Sequence, residues 1–441
     1  MLTREENEML CKVGPGTLMG SLFREYQLPV LLSEDLESGG PPIRVKLLGE
    51  DLVAFRTLEG KVGLVGEFCS HRRVSLYFGQ IERDGIRCVY HGWKYGLNGQ
   101  CLAMPNVPAE YQFKEQIAHP AYPCIEKGGI IWTYMGPATE PPPVPDLEFL
   151  TVPAEQRFLR NRDYQHCNYF QALEGGIDPS HGAFLHGPLQ RIALGDEEAN
   201  RPQSQLSADK GLSKAFRDAF NTGERTPRVE ACETDYGVAM SGRRNLGEDA
   251  YLWRVNVFLF PFYTMPAGDP KDAFLGHMWV PADDEHTVNW RPRWSPTRAL
   301  TPSECAGFEF EHLPPSGDTY GHIRLAASRA NNYFMDWNVH KTKRFGIPTV
   351  HLEDVAVSES QGPIYDRSLE NLTQADEPIV MVRRRLLEAA KKFHENHTPA
   401  PCARNPKVYG GVRGLSLQLT RSVNWADGFK QHLLSNGFNG K

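Results

Sequence analysis

A chain of 441 residues is too long for one simple core and fits two domains. Its composition is ordinary for a globular protein, with 40% hydrophobic and 23% charged residues, and a net charge of −6 without a basic run argues against nucleic acid as a partner. No apolar stretch reaches the length of a membrane span, and the start has no apolar leader. The nine cysteines are odd in number and scattered, so they make no disulfide framework, and free thiols fit a reducing cytoplasm.

In chain order, residues 3–12 read as a short amphipathic helix. Thr3 with Glu6 three residues on is a capping-box spacing, and Gly14-Pro15-Gly16 ends the element. From Pro42 the pattern turns to strands, over residues 43–48, 51–56 and 61–65. Residues 86–90 predict another strand, and 130–134 the last strand of this antiparallel domain. Pro137 and the Pro141-Pro142-Pro143-Val144-Pro145 run form a stiff connector. The boundary falls there, giving domains of residues 1–145 and 146–441.

Two loops in the first domain carry chemistry. Cys69-Ser70-His71 is followed, sixteen residues later, by Cys88-Val89-Tyr90-His91. Each loop supplies one thiolate and one imidazole. A two-iron, two-sulfur cluster of the Rieske type takes two cysteines on one iron and two histidines on the other. A tetrahedral zinc site is the competing use of the same residues, but zinc fingers tend to segregate their cysteines from their histidines. The run continues as Gly92-Trp93-Lys94-Tyr95-Gly96 into Asn98-Gly99, a hairpin-turn dipeptide. Gly92 and Gly96 would let backbone approach a cluster.

The second part is larger and mixed. Residues 164–175 read as a helix, 252–260 and 276–281 as strands, and 378–396 as a helix with Val380, Val382, Leu386, Leu387 and Ala390 as its apolar stripe. Residues 190–230 are polar and weakly periodic, either a lid or an exposed insertion. In Asp178-Pro179-Ser180-His181-Gly182-Ala183-Phe184-Leu185-His186, Asp178 and His181 share a helix face, but two histidines five apart do not. The helix must distort or end between them. Two imidazoles with one carboxylate would make the facial triad of non-haem iron(II) oxygenases. The carboxylate must come from far along the chain.

The Rieske loops resemble those of ring-hydroxylating oxygenases. Beyond them, Gly14-Pro15-Gly16-Thr17, Gln171 to Asp178, residues 280–287 and the run from Gly346 to Leu372 resemble the phthalate dioxygenase branch of that family. The resemblance implies an α+β fold, an antiparallel β Rieske domain followed by a catalytic domain whose antiparallel sheet is covered by helices in a helix-grip arrangement. It implies that Cys69, His71, Cys88 and His91 hold the cluster and that His181, His186 and Asp354 hold a mononuclear iron. The preceding residue is a glutamine in that branch. Here Glu353 stands in its place and competes with Asp354 as a ligand. Glu359, Asp366 and Arg367 read as an ion-pair network holding the C-terminal helices.

Relatives are trimers or stacked-trimer hexamers of one subunit, in which an aspartate bridges the cluster of one subunit to the iron of the next. Asp178 matches that residue. The implied activity uses O2 and electrons from an NAD(P)H-dependent flavin and iron–sulfur reductase to cis-dihydroxylate an aromatic carboxylate such as a phthalate isomer. Such a substrate needs a cationic grip. Of Arg243 and Arg244, adjacent in a strand-like segment, one faces any pocket, and Arg244 is the choice. The alternatives are a Rieske monooxygenase (a hydroxylase or O-demethylase), an electron-transfer Rieske protein without catalysis, and a zinc-binding interaction module.

Overall fold

The computed structural model describes residues 1–186, 226–269, 271–306, 311–314, 320–342 and 345–435. The expected segment 190–230 lies outside them up to residue 225. At the N-terminus, the Thr3 side chain accepts from the backbone N–H of Glu6 and the Glu6 carboxylate accepts from that of Thr3. This capping box opens the helix Arg4–Cys11 as expected.

The cluster-loop domain stacks two small antiparallel sheets. One runs Ile43–Leu47, Glu50–Arg56, Val62–Gly66, Ala121–Tyr122 in order, and the other Gln80–Ile81, Gly85–Arg87, Lys94–Gly96, Cys101–Ala103. Their inner faces bury Val53, Phe55, Val65, Ile86, Trp93 and Tyr95 around Cys69 and Cys88. The strand expected over 86–90 stops at Arg87. Cys88 onward turns instead, with the N–H of Gly92 donating to the Cys88 carbonyl at 3.0 Å. Residues 130–134 are a strand as expected, paired with Cys124–Lys127 and, on its other edge, with Gln27–Leu32. The latter is buried on both faces and carries a register shift after Pro29, so it shows no alternation to read.

The second unit is built on a ten-stranded sheet. Its order is Arg228–Glu233, Gly237–Leu246, Ala250–Leu259, Tyr263–Met265, His277–Pro281, Thr287–Trp290, Arg162–Gln165, Arg324–Leu325, His312–Leu313, with Leu415–Thr420 also pairing to Ala250–Leu259. All pairs are antiparallel except Tyr164 with Arg324. The architecture is α+β. Residues 164–175 are not one helix: Arg162–Gln165 is a strand against Thr287–Trp290, and the helix starts at Tyr169. The Asn168 side chain caps it by accepting from the N–H of Phe170, which fixes the start five residues later than expected.

The helix Glu377–Asn396 packs on Arg228–Glu233 and Gly237–Leu246. Val382, Leu386, Leu387 and Ala390 are buried, but Val380 is 44% exposed and lies outside the stripe. Each buried Val or Leu contributes about 1.5–3 kcal/mol relative to exposure. The helix Tyr169–Ile177 lies on Tyr263–Met265 and His277–Pro281, and the helix Val350–Ser360 packs against it. That pairing brings residues 178–186 beside residues 353 and 354. One large core runs from Leu10, Leu28 and Trp132 through Trp253 and Val280 to Leu386. Among the described residues no helix is long and apolar enough to cross a membrane, and all nine cysteines are free.

Candidate metal centres

The two Cys-and-His loops hang from the small sheets with thiols inward and imidazoles outward. Cys69 and Cys88 are buried, while His71 and His91 are half-exposed. Gly92 turns the second loop with φ near +75°, and a side chain there would strike the Pro105 ring at 2.6 Å. Gly96 belongs to the Asn98-Gly99 hairpin instead, its N–H donating to the Gln100 carbonyl. The His71 ring lies flat on Trp93 at 4.6 Å and meets the His91 ring edge-on at 4.6 Å. Nδ1 of His91 is buried and has no hydrogen-bond partner, as befits a nitrogen reserved for a metal. The Tyr95 hydroxyl sits 3.0 Å from Sγ of Cys69.

The second ligand set is tighter. The helix Tyr169–Ile177 ends at Asp178, before the first histidine rather than between the two. Oδ1 of Asp178 accepts from the N–H and hydroxyl of Ser180, at 2.7 and 2.8 Å, and Oδ2 accepts from the N–H of His181 at 3.2 Å. One helical turn, Gly182–Leu185, then separates His181 from His186 and swings both rings toward the helix Val350–Ser360. Nε2 of His186 is 3.1 Å and Nε2 of His181 is 3.7 Å from Oδ1 of Asp354. The ligand atoms of these three residues lie within 4.8 Å of one another, the spacing one ion needs. Among the described residues no other His, Cys, Asp or Glu group does so.

Electrostatics follow the geometry. His186 and His181 beside Asp354 hold its carboxyl below the usual range. Burial opposes charge on His186, yet Asp354 and Glu353 together raise it to about 9. Asp178 is held low against its burial by His181 and the Ser180 donors. Behind Asp354 is a small cavity of about 50 Å³, lined among others by His277, Trp279, Asn289 and His351. Nε2 of His351 is 3.0 Å from the buried carboxylate of Asp163, which Arg291 also meets at 3.2 Å. None of this was visible in the sequence, because the residues come from four separate elements. A larger groove of about 840 Å³, lined by Asp235, Arg385, Lys392 and Phe429, shares no residue with either ligand set.

Arg243 and Arg244 part company. Arg243 stands over the rings of Tyr251 and Trp253 on one face of the sheet. Arg244 is buried on the other face, shared with Gly242, where a Cβ would lie 3.3 Å from Pro179 next to Asp178. Arg254 opposes Gly242 in register on that same face. Burial and the neighbouring Arg244 together lower its pKa to about 9. The ion-pair network at the C-terminal helices exists but is centred elsewhere. Arg367 is fully buried and pairs with Glu174 at 2.7 Å, whereas Asp366 meets exposed Arg4 at 3.8 Å. Glu359 accepts from the N–H of His166 and the hydroxyl of Tyr333.

Residues 27–123 match the Rieske [2Fe-2S] domain family, and residues 133–426 match the LigXa C-terminal-domain-like family. The chain is 35% identical to the 3-chlorobenzoate-3,4-dioxygenase oxygenase subunit of Comamonas testosteroni, across 98% of this chain and 99% of that one. It belongs to the Rieske non-haem iron oxygenases. The phthalate 4,5-dioxygenase oxygenase subunit of Pseudomonas putida is 33% identical, with 97% and 94% covered. The terminal oxygenase of carbazole 1,9a-dioxygenase from Nocardioides aromaticivorans IC177 shares the fold. Its TM-score is 0.54, at 17% identity, over 88% of this chain and 97% of that one. As a Rieske oxygenase the protein is an oxidoreductase whose cofactors are a [2Fe-2S] cluster and a mononuclear iron. The donor chemistry fits both: two buried thiols below two open imidazoles for the cluster, and two imidazoles with one carboxylate for the iron.

Proposed function

We propose that this chain is a terminal oxygenase that cis-dihydroxylates an aromatic carboxylate such as a phthalate isomer, with electrons from NAD(P)H delivered by a flavin and iron–sulfur reductase. Residues 1–145 would carry the cluster on Cys69, His71, Cys88 and His91, and residues 146–441 the iron on His181, His186 and Asp354. When bound, the cluster supplies single electrons and the iron supplies oxygen activation. The observation that carries the reading is the convergence of His181, His186 and Asp354 in a chain that also holds the Cys-and-His loops.

Each residue has a task around those groups. Asp178 holds the His181 ring from its Nδ1 side, 3.4 Å away, and offers the carboxylate that would link it to a cluster histidine of a neighbouring subunit. Val89 and Tyr90, 61% and 52% exposed beside His91, give the cluster tip an apolar rim suited to such a neighbour, in a trimer or a hexamer of stacked trimers. Arg244, buried on the sheet face it shares with Gly242, would supply the cationic grip for an aromatic carboxylate. Trp279 walls the cavity behind Asp354 and keeps bulk water from the ring.

Iron analysis of His181→Ala tests the reading. The variant should lose the mononuclear iron and all product formation and keep the acid-labile sulfide of the cluster. Unchanged iron with unchanged turnover would sink it.

A further inference from the structure

Glu353 and Asp354 are consecutive on the helix Val350–Ser360, so their side chains leave it about 100° apart. That angle lets them bracket one imidazole. Oδ1 of Asp354 is 3.1 Å from Nε2 of His186, and Oε2 of Glu353 is 2.6 Å from Nδ1 of the same ring. The two carboxylates differ in access. The Glu353 side chain is wholly enclosed, and that of Asp354 is 39% exposed.

We propose that Glu353 is a positioning residue that fixes the tautomer and orientation of His186, and is not itself a metal ligand. The inference rests on the reading of His181, His186 and Asp354 as an iron site. An imidazole that gives its Nδ1–H to Glu353 keeps its Nε2 lone pair on the side of Asp354 and His181. A carboxylate only accepts, so it admits only the Nδ1–H form. An amide at this position could turn its NH2 group and accept the other form as well. Glutamate rather than an amide at this position therefore narrows the ring to one state. Its full enclosure and the 2.6 Å contact hold the two side chains together. His181 differs, with Oδ2 of Asp178 3.4 Å from its Nδ1 and no hydrogen bond at that nitrogen.

The test is metal affinity, with the visible absorption of the cluster as the check on folding. Fe(II) and Co(II) are titrated into the wild type, Glu353→Ala, Glu353→Gln and Glu353→Met, the last keeping side-chain volume without an oxygen acceptor. Glu353→Ala and Glu353→Met should bind about 10–100-fold more weakly. Glu353→Gln should recover most of the loss. The visible spectrum of bound Co(II), which reports the ligand field at His186, should move in the first two variants and stay near wild type in the third. Equal affinity in wild type, Glu353→Ala and Glu353→Met overturns the proposal. Retention of metal by Asp354→Ala with loss in Glu353→Gln also overturns it, since Glu353 would then be the ligand. Failure of the site reading itself looks different: the wild type would take up no mononuclear metal, His186→Ala would change nothing, and both would fall together.

Discussion

Oδ2 of Asp178 lies 3.4 Å from Nδ1 of His181 while the same carboxylate accepts from the backbone N–H of His181 and of Ser180. These contacts and the Ser180 hydroxyl fix one side chain at the turn between the helix and His181. Asp178→Asn should keep iron and sulfide content and lower turnover by about 10–100-fold. Metal analysis beside product formation checks this. Iron lost in step with turnover would reduce Asp178 to a support for His181.

The Tyr95 hydroxyl, 3.0 Å from Sγ of Cys69, is placed to donate to that sulfur, which would be a cluster thiolate in the proposed assignment. Such a bond favours the more negative, reduced cluster, so Tyr95→Phe should lower the reduction potential. A redox titration followed by visible absorption measures the shift. An unchanged or higher potential would mean that the hydroxyl points its proton elsewhere.

Arg367 and Glu174 make a buried pair at 2.7 Å, and Arg383 joins Glu174 at 2.7 Å. Without Arg367, the buried carboxylates of Glu174 and Glu370 share the single guanidinium of Arg383, leaving one negative charge in excess in the interior. Arg367→Met should destabilise the fold by about 3–5 kcal/mol in urea unfolding. Arg384, whose partner Glu233 is half-exposed like itself, should lose under about 1 kcal/mol as Arg384→Ala.

Burial lowers the pKa of His277 and His312 to about 4 and that of His322 to about 3. In the unfolded chain these rings titrate near 6.5. Below that pH the unfolded state binds more protons than the folded one, so stability falls as pH drops from about 6.5 toward 4, by up to about 1.4 kcal/mol per pH unit for each ring. Urea midpoints between pH 7 and 5 should show this slope, and His322→Phe should flatten it.

Local chemistry was legible in the sequence and long-range geometry was not. The Cys-and-His loops declare themselves by spacing and the capping box at Thr3 by its own pattern, whereas His181 and His186 make a weak motif that gains meaning only downstream of those loops. Asp354 lies far from His186 in the chain and entered only through resemblance. Glu353 could be seen as a carboxylate, but its task is set by full burial and by which ring nitrogen it meets. Tyr164 and Gln165 read as helix in the sequence because the strand Arg162–Gln165, to which they belong, is buried on both faces and owes its form to the pairing with Thr287–Trp290. Arg243 and Arg244 are equivalent in sequence, and only the face of the sheet separates them.

The most direct test of the proposed activity is the mass of the product formed from a panel of benzoates and phthalate isomers, with a reductase, NADH and isotopically labelled O2. The expected product carries two added oxygens, both labelled, and two added hydrogens. A product with one added oxygen, or a methoxy substrate that has lost its methyl group, would contradict dihydroxylation and make the enzyme a monooxygenase.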